Sequence, residues 1–463
     1  MAAGTKNKRN LWNIFDNFEG DKVVWMIVLL LMLISVLCMF SSTSRLLSSG
    51  QSRLDVVKDQ LILVAAGIGI IIVIYNIRKL GLLRWLSQFG FALSLILLVL
   101  LDLKVDLGFI RSIEINGARR ILQVGPVQVH VFEVVKVAMI MYLAWAMDAL
   151  SRGKLKWGNT ELAKKIIYIY APFVVSFLMI IPGSNSAALV IGGMMFITIL
   201  IGGGNLRDLA VLLGAGLLMI LLVLGIFKLS GGKVMGRIGT GINRIFEHTD
   251  WEQRVMDSRT GSIEYYEALD EIRQPYSAKI AIHEGGVIGK GPGQSTQRYV
   301  VPDISEDYMY SFIIEEYGFF GGIVVLMLYI SLLARGSLIV RNCGTELFPK
   351  LAVAGLTMLI VLQAFLHIFV NVDIGPMTGQ TLPLVSHGAS AFLCFCVAFG
   401  IILSISRYAS RKIKKEQLQS APLVEREEIR QDLDALDDFE TKGEAAEDLD
   451  ELEELNEFED GIR

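Results

Sequence analysis

Apolar residues in this chain come in long unbroken runs rather than in alternation. Ten of them, at roughly 24–43, 58–77, 81–101, 126–148, 166–182, 185–202, 207–228, 309–334, 349–371 and 386–406, are long enough to predict transmembrane helices. A helix satisfies its own backbone groups in lipid, and continuous runs do not suit the alternating strands of a membrane barrel. The expected fold class is therefore all-α, a polytopic membrane protein of about ten transmembrane helices. Between the runs, polar segments are short, with two exceptions at 102–125 and about 229–308. A connection as long as the second is more often functional than a mere linker.

Charge orients these helices. Arg78, Lys79 and Arg84 lie between the second and third runs, and Arg152, Lys154, Lys156, Lys164 and Lys165 between the fourth and fifth. Arg207 follows the sixth, Arg335, Arg341 and Lys350 separate the eighth and ninth, and Arg407, Arg411, Lys412, Lys414 and Lys415 follow the last. All fall on the side of the N-terminus, which the positive-inside rule makes cytoplasmic, with both termini there and the two long segments outside. Composition then adds one point. The stretch 416–463 holds 19 acidic and 4 basic side chains, leaving 28 acidic and 39 basic in the rest, a net of +11 against −4 for the whole chain. The membrane part is basic, which suits anionic lipids or phosphate-bearing substrates as well as topology. The tail reads as mostly disordered or transiently helical. The expected division is a cytoplasmic segment 1–20, a membrane domain 21–410 with its outer loop at about 229–308, and an acidic cytoplasmic tail 411–463. Cys38, Cys343, Cys394 and Cys396 fit no zinc or redox spacing and read as packing residues.

Three places carry candidate chemistry. Glu133 and Lys136, three apart on an apolar helix, share a face. Charges within a membrane helix face each other or a polar cavity, so the pair either ties helices together or lines a substrate site. Just before it, Arg119 and Arg120 offer fork-like contacts to a diphosphate, or anchor the chain at lipid headgroups. The second place runs from Gln274 to Gly322. Its glycine cluster around Lys290 is neither a Walker A loop nor a dinucleotide fingerprint. Asp307 stands where polar loop becomes apolar helix, with Asp303 and Glu306 as rivals; Glu315 and Glu316 lie deeper and need partners. The third place, His367 to Ala391, carries Pro376, Gly379, Pro383 and Gly388 with Ser386, His387 and Ser390, and reads as a re-entrant or cavity-lining segment. Ser386 beside His387 has no nucleophile elbow and defines no triad.

Taken in order, NGARR followed by Glu133–x–x–Lys136, the run AIHEGGVIGKGPGQSTQRYVVPDISEDYMYSFIIEEYGFFGG and the run PMTGQTLPLVSHGASA resemble motifs of the SEDS family, for shape, elongation, division and sporulation. The resemblance spans roughly residues 20–410. Departures fall at His130–Val131–Phe132, Thr381, His387, Ala389 and Ile181–Pro182–Gly183, around the fourth and last helices. The resemblance implies a peptidoglycan glycosyltransferase that polymerises lipid II outside the cytoplasmic membrane and releases undecaprenyl diphosphate. Asp307 occupies the position of the family's essential aspartate and is the expected general base. Arg119, Arg120, Lys136 and Lys290 are the expected diphosphate or substrate contacts, with Glu133 orienting Lys136. Ser386 and Ser390 of the third motif join the substrate-binding set. Family members are linked to divalent cations (Mg or Mn), although no ligand cluster stands out here. The resemblance further implies a class B penicillin-binding transpeptidase and other division membrane proteins as partners, with no nucleic acid. The opening FEGDKVVWMIVLLLMLISVLCMFSSTS and the run KGPGQSTQ favour the division branch over the elongation branch, and so a septal location. A lipid flippase or a noncatalytic scaffold are the readings to be weighed against an enzyme.

Overall fold

The computed structural model describes residues 19–42, 53–103, 106, 108–115, 118–125, 127–203, 214, 248–301, 304–375 and 378–420. The seventh predicted helix (207–228), Asp303 and the acidic tail beyond Ser420 lie outside the described residues, as do Asn116 and Gly117. The described chain is a helical membrane protein. Its helices are α1 (Lys22–Ser42), α2 (Arg53–Tyr75), α3 (Leu80–Asp102), α4 (Val131–Ser151), α5 (Glu161–Ile180, with a π-turn at Ile166–Tyr170), α6 (Asn185–Ile201), α7 (His248–Asp257), α8 (Ile263–Gly285), α9 (Met309–Asn342), α10 (Leu347–Asn371) and α11 (Ala389–Ser420). Among the described residues, eight of these are long and apolar enough to cross a membrane, and α6 is a shorter apolar helix. The described residues fall into two compact units, one within 23–405 and a second made of 19–22 and 406–420. In the second, the Arg407 guanidinium donates to Glu19 at 3.2 Å and Asp21 N–H to the Ser406 hydroxyl at 2.8 Å.

The core of the larger unit follows from which helices are apolar on all sides. The apolar window of α4 is 78% buried and that of α10 61%, against 17% for α2 and 22% for α3. A helix that is hydrophobic all round is stable either inside a bundle or against lipid. Here α4 and α10 take the inside, packed on each other and both on α6, while α3 flanks α4 and α9 flanks α10.

Two expectations are corrected. The segment 102–125 is not simply a loop: β1 (Ile110–Ile115), β2 (Ala118–Val124) and β3 (Val127–His130) form an antiparallel meander of order β1-β2-β3. The fourth transmembrane helix therefore starts at Val131, not near residue 126, because Val127–His130 pairs residue by residue with Ile121–Val124. His130 is the residue before the helix, in extended conformation.

Helix α9 is broken. Gly318 has φ +72° and ψ −175°, leaving two helical pieces that meet at a kink. A break inside an apolar helix frees backbone groups that lipid cannot satisfy. The glycine-rich loop after α8 satisfies them. Lys290 N–H donates to Glu315 O and Gly291 N–H to Glu316 O, both at 2.9 Å, and Phe319 N–H donates to Gly286 O at 2.9 Å. The approach is backbone on backbone. A Cβ at Gly289 would fall 2.3 Å from Glu316 O, and one at Gly318 2.3 Å from Val287 O. Only glycine fits both that spacing and the positive φ.

Candidate functional site

Lys136 is the centre of one polar cluster. Its side chain is 1% exposed and its ammonium lies 2.7 Å from Glu133, as the spacing on α4 predicts. The ammonium also donates to Gln363 Oε1 on α10 at 2.7 Å and to Gln380 Oε1 at 3.1 Å. Gln380 belongs to the stretch between α10 and α11, and its carbonyl meets His367 Nδ1 at 2.8 Å. His367 Nε2 accepts from Tyr310 N–H at 3.3 Å, so Nδ1 carries the proton and donates. Asn371, one turn on, accepts from Ser311 N–H at 2.9 Å and donates to Asp307 O at 3.1 Å. Asn371 Nδ2 also donates to His367 O at 2.8 Å, so hydrogen bonds connect Lys136, Gln380, His367 and Asn371 residue by residue to the backbone of Asp307. Gln363, His367 and Asn371 were missed as candidates, yet their spacing of four marks one polar face on an apolar helix.

Asp307 is half-buried and stands two residues before α9, outside its first turn. Its carboxylate faces Gly379, where a Cβ would lie 4.0 Å from Oδ2. Burial, and then the negative charges of Asp307 and Asp373, push the Tyr308 hydroxyl above its ordinary range. Among the described residues, Tyr308 Oη, Thr378 Oγ1 and His387 Nδ1 are buried polar atoms without a hydrogen-bond partner. All three belong to the segments that flank Asp307, and such orphans are costly unless something polar meets them.

The stretch around them is non-helical and packed inside protein. Leu382, Leu384 and Val385 are at most 1% exposed, and Leu384 adopts φ +60°. Tyr329 Oη donates to Pro383 O at 2.6 Å and Ser35 Oγ to Val385 O at 3.0 Å. Ser386 Oγ donates to Glu306 O at 2.8 Å and accepts Leu382 N–H, which makes it a clamp for the turn and leaves it unpaired with His387. Ser390 Oγ donates to Gln128 O at 2.7 Å, joining α11 to β3. Glu306 is exposed.

Arg119 and Arg120 are neighbours on β2 at a β-bulge, where Arg119 stands opposite Glu114 and Arg120 is the extra residue. Arg119 pairs with Glu114 at 2.9 Å, and Arg120 donates to Gly183 O at 3.4 Å. Lys290 is in a separate cluster. Its ammonium meets Glu284, Thr296 Oγ1 at 2.8 Å and Glu315 at 2.8 Å, three partners for three N–H donors. Among the described residues no group of three or more His, Cys, Asp or Glu side chains is placed to hold a metal.

A multi-helix membrane bundle with a half-buried carboxylate beside unpartnered polar atoms defines the class: a membrane-embedded protein with a polar site at one end of its central helices. Its relatives sharpen that. The FtsW/RodA/SpoVE family, described as cell cycle protein, matches residues 21–411, and the chain belongs to that family. It is 28% identical over 298 residues to a probable peptidoglycan glycosyltransferase FtsW of Legionella pneumophila, covering 63% of this chain and 68% of that one. It is 28% identical over 410 residues to the peptidoglycan glycosyltransferase MrdB of Escherichia coli K12, covering 86% and 96%. Among solved structures, one reported under "Structural coordination of polymerization and crosslinking by a peptidoglycan synthase complex" aligns at TM-score 0.60 and 19% identity, covering 84% of this chain and 98% of that one. The rod shape determining protein RodA of Thermus thermophilus aligns at TM-score 0.52 and 20% identity, covering 84% and 97%. At that identity the structural likeness shows the fold.

Proposed function

We propose that this chain is a peptidoglycan glycosyltransferase that joins lipid II units into glycan strands at the outer face of the cytoplasmic membrane. The observation that carries the reading is the placement of Asp307. Its backbone carbonyl is held by Asn371, and its carboxylate faces Gly379 in the 378–388 stretch, which carries the buried, unpartnered Thr378 Oγ1 and His387 Nδ1. The acceptor sugar hydroxyl attacks the anomeric carbon of the donor and gives its proton to the Asp307 carboxylate. The bond from that carbon to the diphosphate breaks, and undecaprenyl diphosphate leaves with the bonding pair. General-base help of this kind is worth roughly 10²–10⁴-fold. Arg119 and Arg120 are the groups proposed to meet the diphosphate, while Lys136, its three N–H donors taken by Glu133, Gln363 and Gln380, ties the helices together rather than touching it. Glu133 holds Lys136 in place. A role at the division septum, beside a class B penicillin-binding transpeptidase, is the setting that the N-terminal and KGPGQSTQ sequences favour. The membrane domain at 21–410 is the catalytic unit in this reading.

The test is polymerisation of lipid II by the purified protein with a cognate transpeptidase, wild type against Asp307→Asn, with lipid II binding followed in both. Glycan strands from wild type alone, with binding retained by the variant, are the expected result. Equal activity in both would remove Asp307 from the role. No polymer from either, in preparations that bind lipid II and the partner, would favour a flippase or a scaffold.

A further inference from the structure

Glu315 and Glu316 are the two carboxylates of α9, at 0% and 1% exposure, and the reaction proposed above uses neither. Their partners come from the glycine-rich loop. Glu315 accepts from Thr296 N–H at 2.8 Å, Gln297 N–H at 3.3 Å, Ser295 Oγ at 2.5 Å and the Lys290 ammonium at 2.8 Å. Glu316 accepts from Gly293 N–H at 3.1 Å, Ser295 N–H at 3.3 Å and the Ser41 hydroxyl at the end of α1 at 2.5 Å. Arg298 closes the same contact by donating to Ser41 O at 2.9 Å. Asp307 lies in the chain between Thr296 and Glu315. The two ends of that segment are therefore joined to each other by the Glu315 carboxylate, and joined to α1 through Glu316 and Arg298.

We infer that Lys290 and Glu315 are positioning residues: together with Thr296 they staple the base of the Asp307 segment and so hold the carboxylate in place against the stretch around Gly379. The inference rests on the function proposed above. It separates Lys290 from direct contact with the diphosphate, because all three of its donors already have partners within the protein. A small misplacement of a reacting group is enough to cost about 100-fold in rate. Loosening the staple therefore lowers turnover and leaves affinity for lipid II alone.

The experiment measures kcat and KM for lipid II with the full-length protein and its transpeptidase, for wild type, Lys290→Met, Glu315→Gln, Thr296→Val and the Lys290→Met/Glu315→Gln double variant. Hydrogen exchange of residues 290–308 and thermal unfolding are followed in each. Wild-type polymerisation is the control for the underlying function; its absence would sink that reading and not this one. With it present, each single variant is expected to lose roughly 10–100-fold in kcat with KM within about twofold. The double variant should be little worse than either single one, since both act through one staple. Exchange across 290–308 should quicken while the bundle still unfolds cooperatively. Lys290→Arg should recover part of the rate. A rise in KM for Lys290→Met alone, with kcat intact, would make Lys290 a substrate contact and overturn the inference. So would losses that multiply in the double variant, or full activity throughout. Should Glu315→Gln fail to fold, Thr296→Val and Lys290→Met act on the more accessible partners and decide the same question.

Discussion

Two lysines in this bundle are each held by a glutamate and two further oxygens, and they do different things. Lys136 pairs with Glu133 three residues earlier on the same helix, then reaches across to Gln363 and Gln380. Lys290 is in a loop and pairs with Glu315, 25 residues on, and with Glu284 and Thr296. The first is buried between helices, where lipid and protein exclude water. The second is partly open to solvent, with a side chain 23% exposed. The comparison teaches that burial decides what a charge pair is worth. Breaking a buried pair leaves an uncompensated charge, whereas a lysine at the solvent edge, set between a buried Glu315 and an exposed Glu284, contributes less by itself and matters through what it holds in place.

Substitution at Lys136 gives the largest expected effect. Lys136→Met strands the Glu133 carboxylate and two amide oxygens, and should destabilise the bundle by about 3–5 kcal/mol. Adding Glu133→Gln should restore much of that. Thermal unfolding in detergent of both variants checks it, and an unshifted midpoint for the single variant would break the comparison. Gly318→Ala comes next. A side chain at φ +72° costs about 1–3 kcal/mol, before the clash with Val287 O is counted. The loop around Lys290 should open with it, seen as faster exchange at 286–291. Glu284→Gln should move the midpoint least, because Glu315 and Thr296 keep the ammonium partnered; hydrogen exchange near Lys290 should respond only slightly.

Acidity sharpens the same contrast. Hydrogen bonds from Lys290 and Thr296 hold the Glu284 carboxyl below its ordinary range. Burial works against Lys290, but its bonds to Glu284 and Glu315 outweigh that and lift its ammonium above the usual lysine range. A depressed carboxyl contributes stability above its unfolded pKa, lost as pH falls through the folded one. A raised ammonium contributes stability below its unfolded pKa, lost as pH rises through the folded one. The loop should therefore exchange at constant protection through the neutral range. It should loosen in acid below the ordinary carboxylate range and in base above the ordinary lysine range. Loosening near neutrality would contradict the pairing.

The sequence revealed what is local. Nine of the ten expected helices have counterparts among the described residues, because each run is long enough to span lipid whatever surrounds it. The Glu133–Lys136 contact follows from helical spacing alone. The meander before α4 was not read, since its strands are short and their pairing is settled only by one another. The partners of Glu315 and Glu316 were also out of reach. Both residues needed counterparts on any reading, but backbone N–H groups of a loop carry no signature in residue type. The glycines at 289 and 318 were visible, though not that they face each other across a broken helix.

That broken helix has a consequence for how the protein is made. The outer piece of α9 brings two carboxylates into the bundle, and their hydrogen-bond donors lie upstream in the chain, on residues 290–297. During synthesis those donors leave the ribosome first. The half-helix therefore has its receptor waiting when it arrives. A chain whose glycine loop is delayed or misfolded would present two unshielded acids to the insertion machinery, and assembly of the membrane domain would stall at α9.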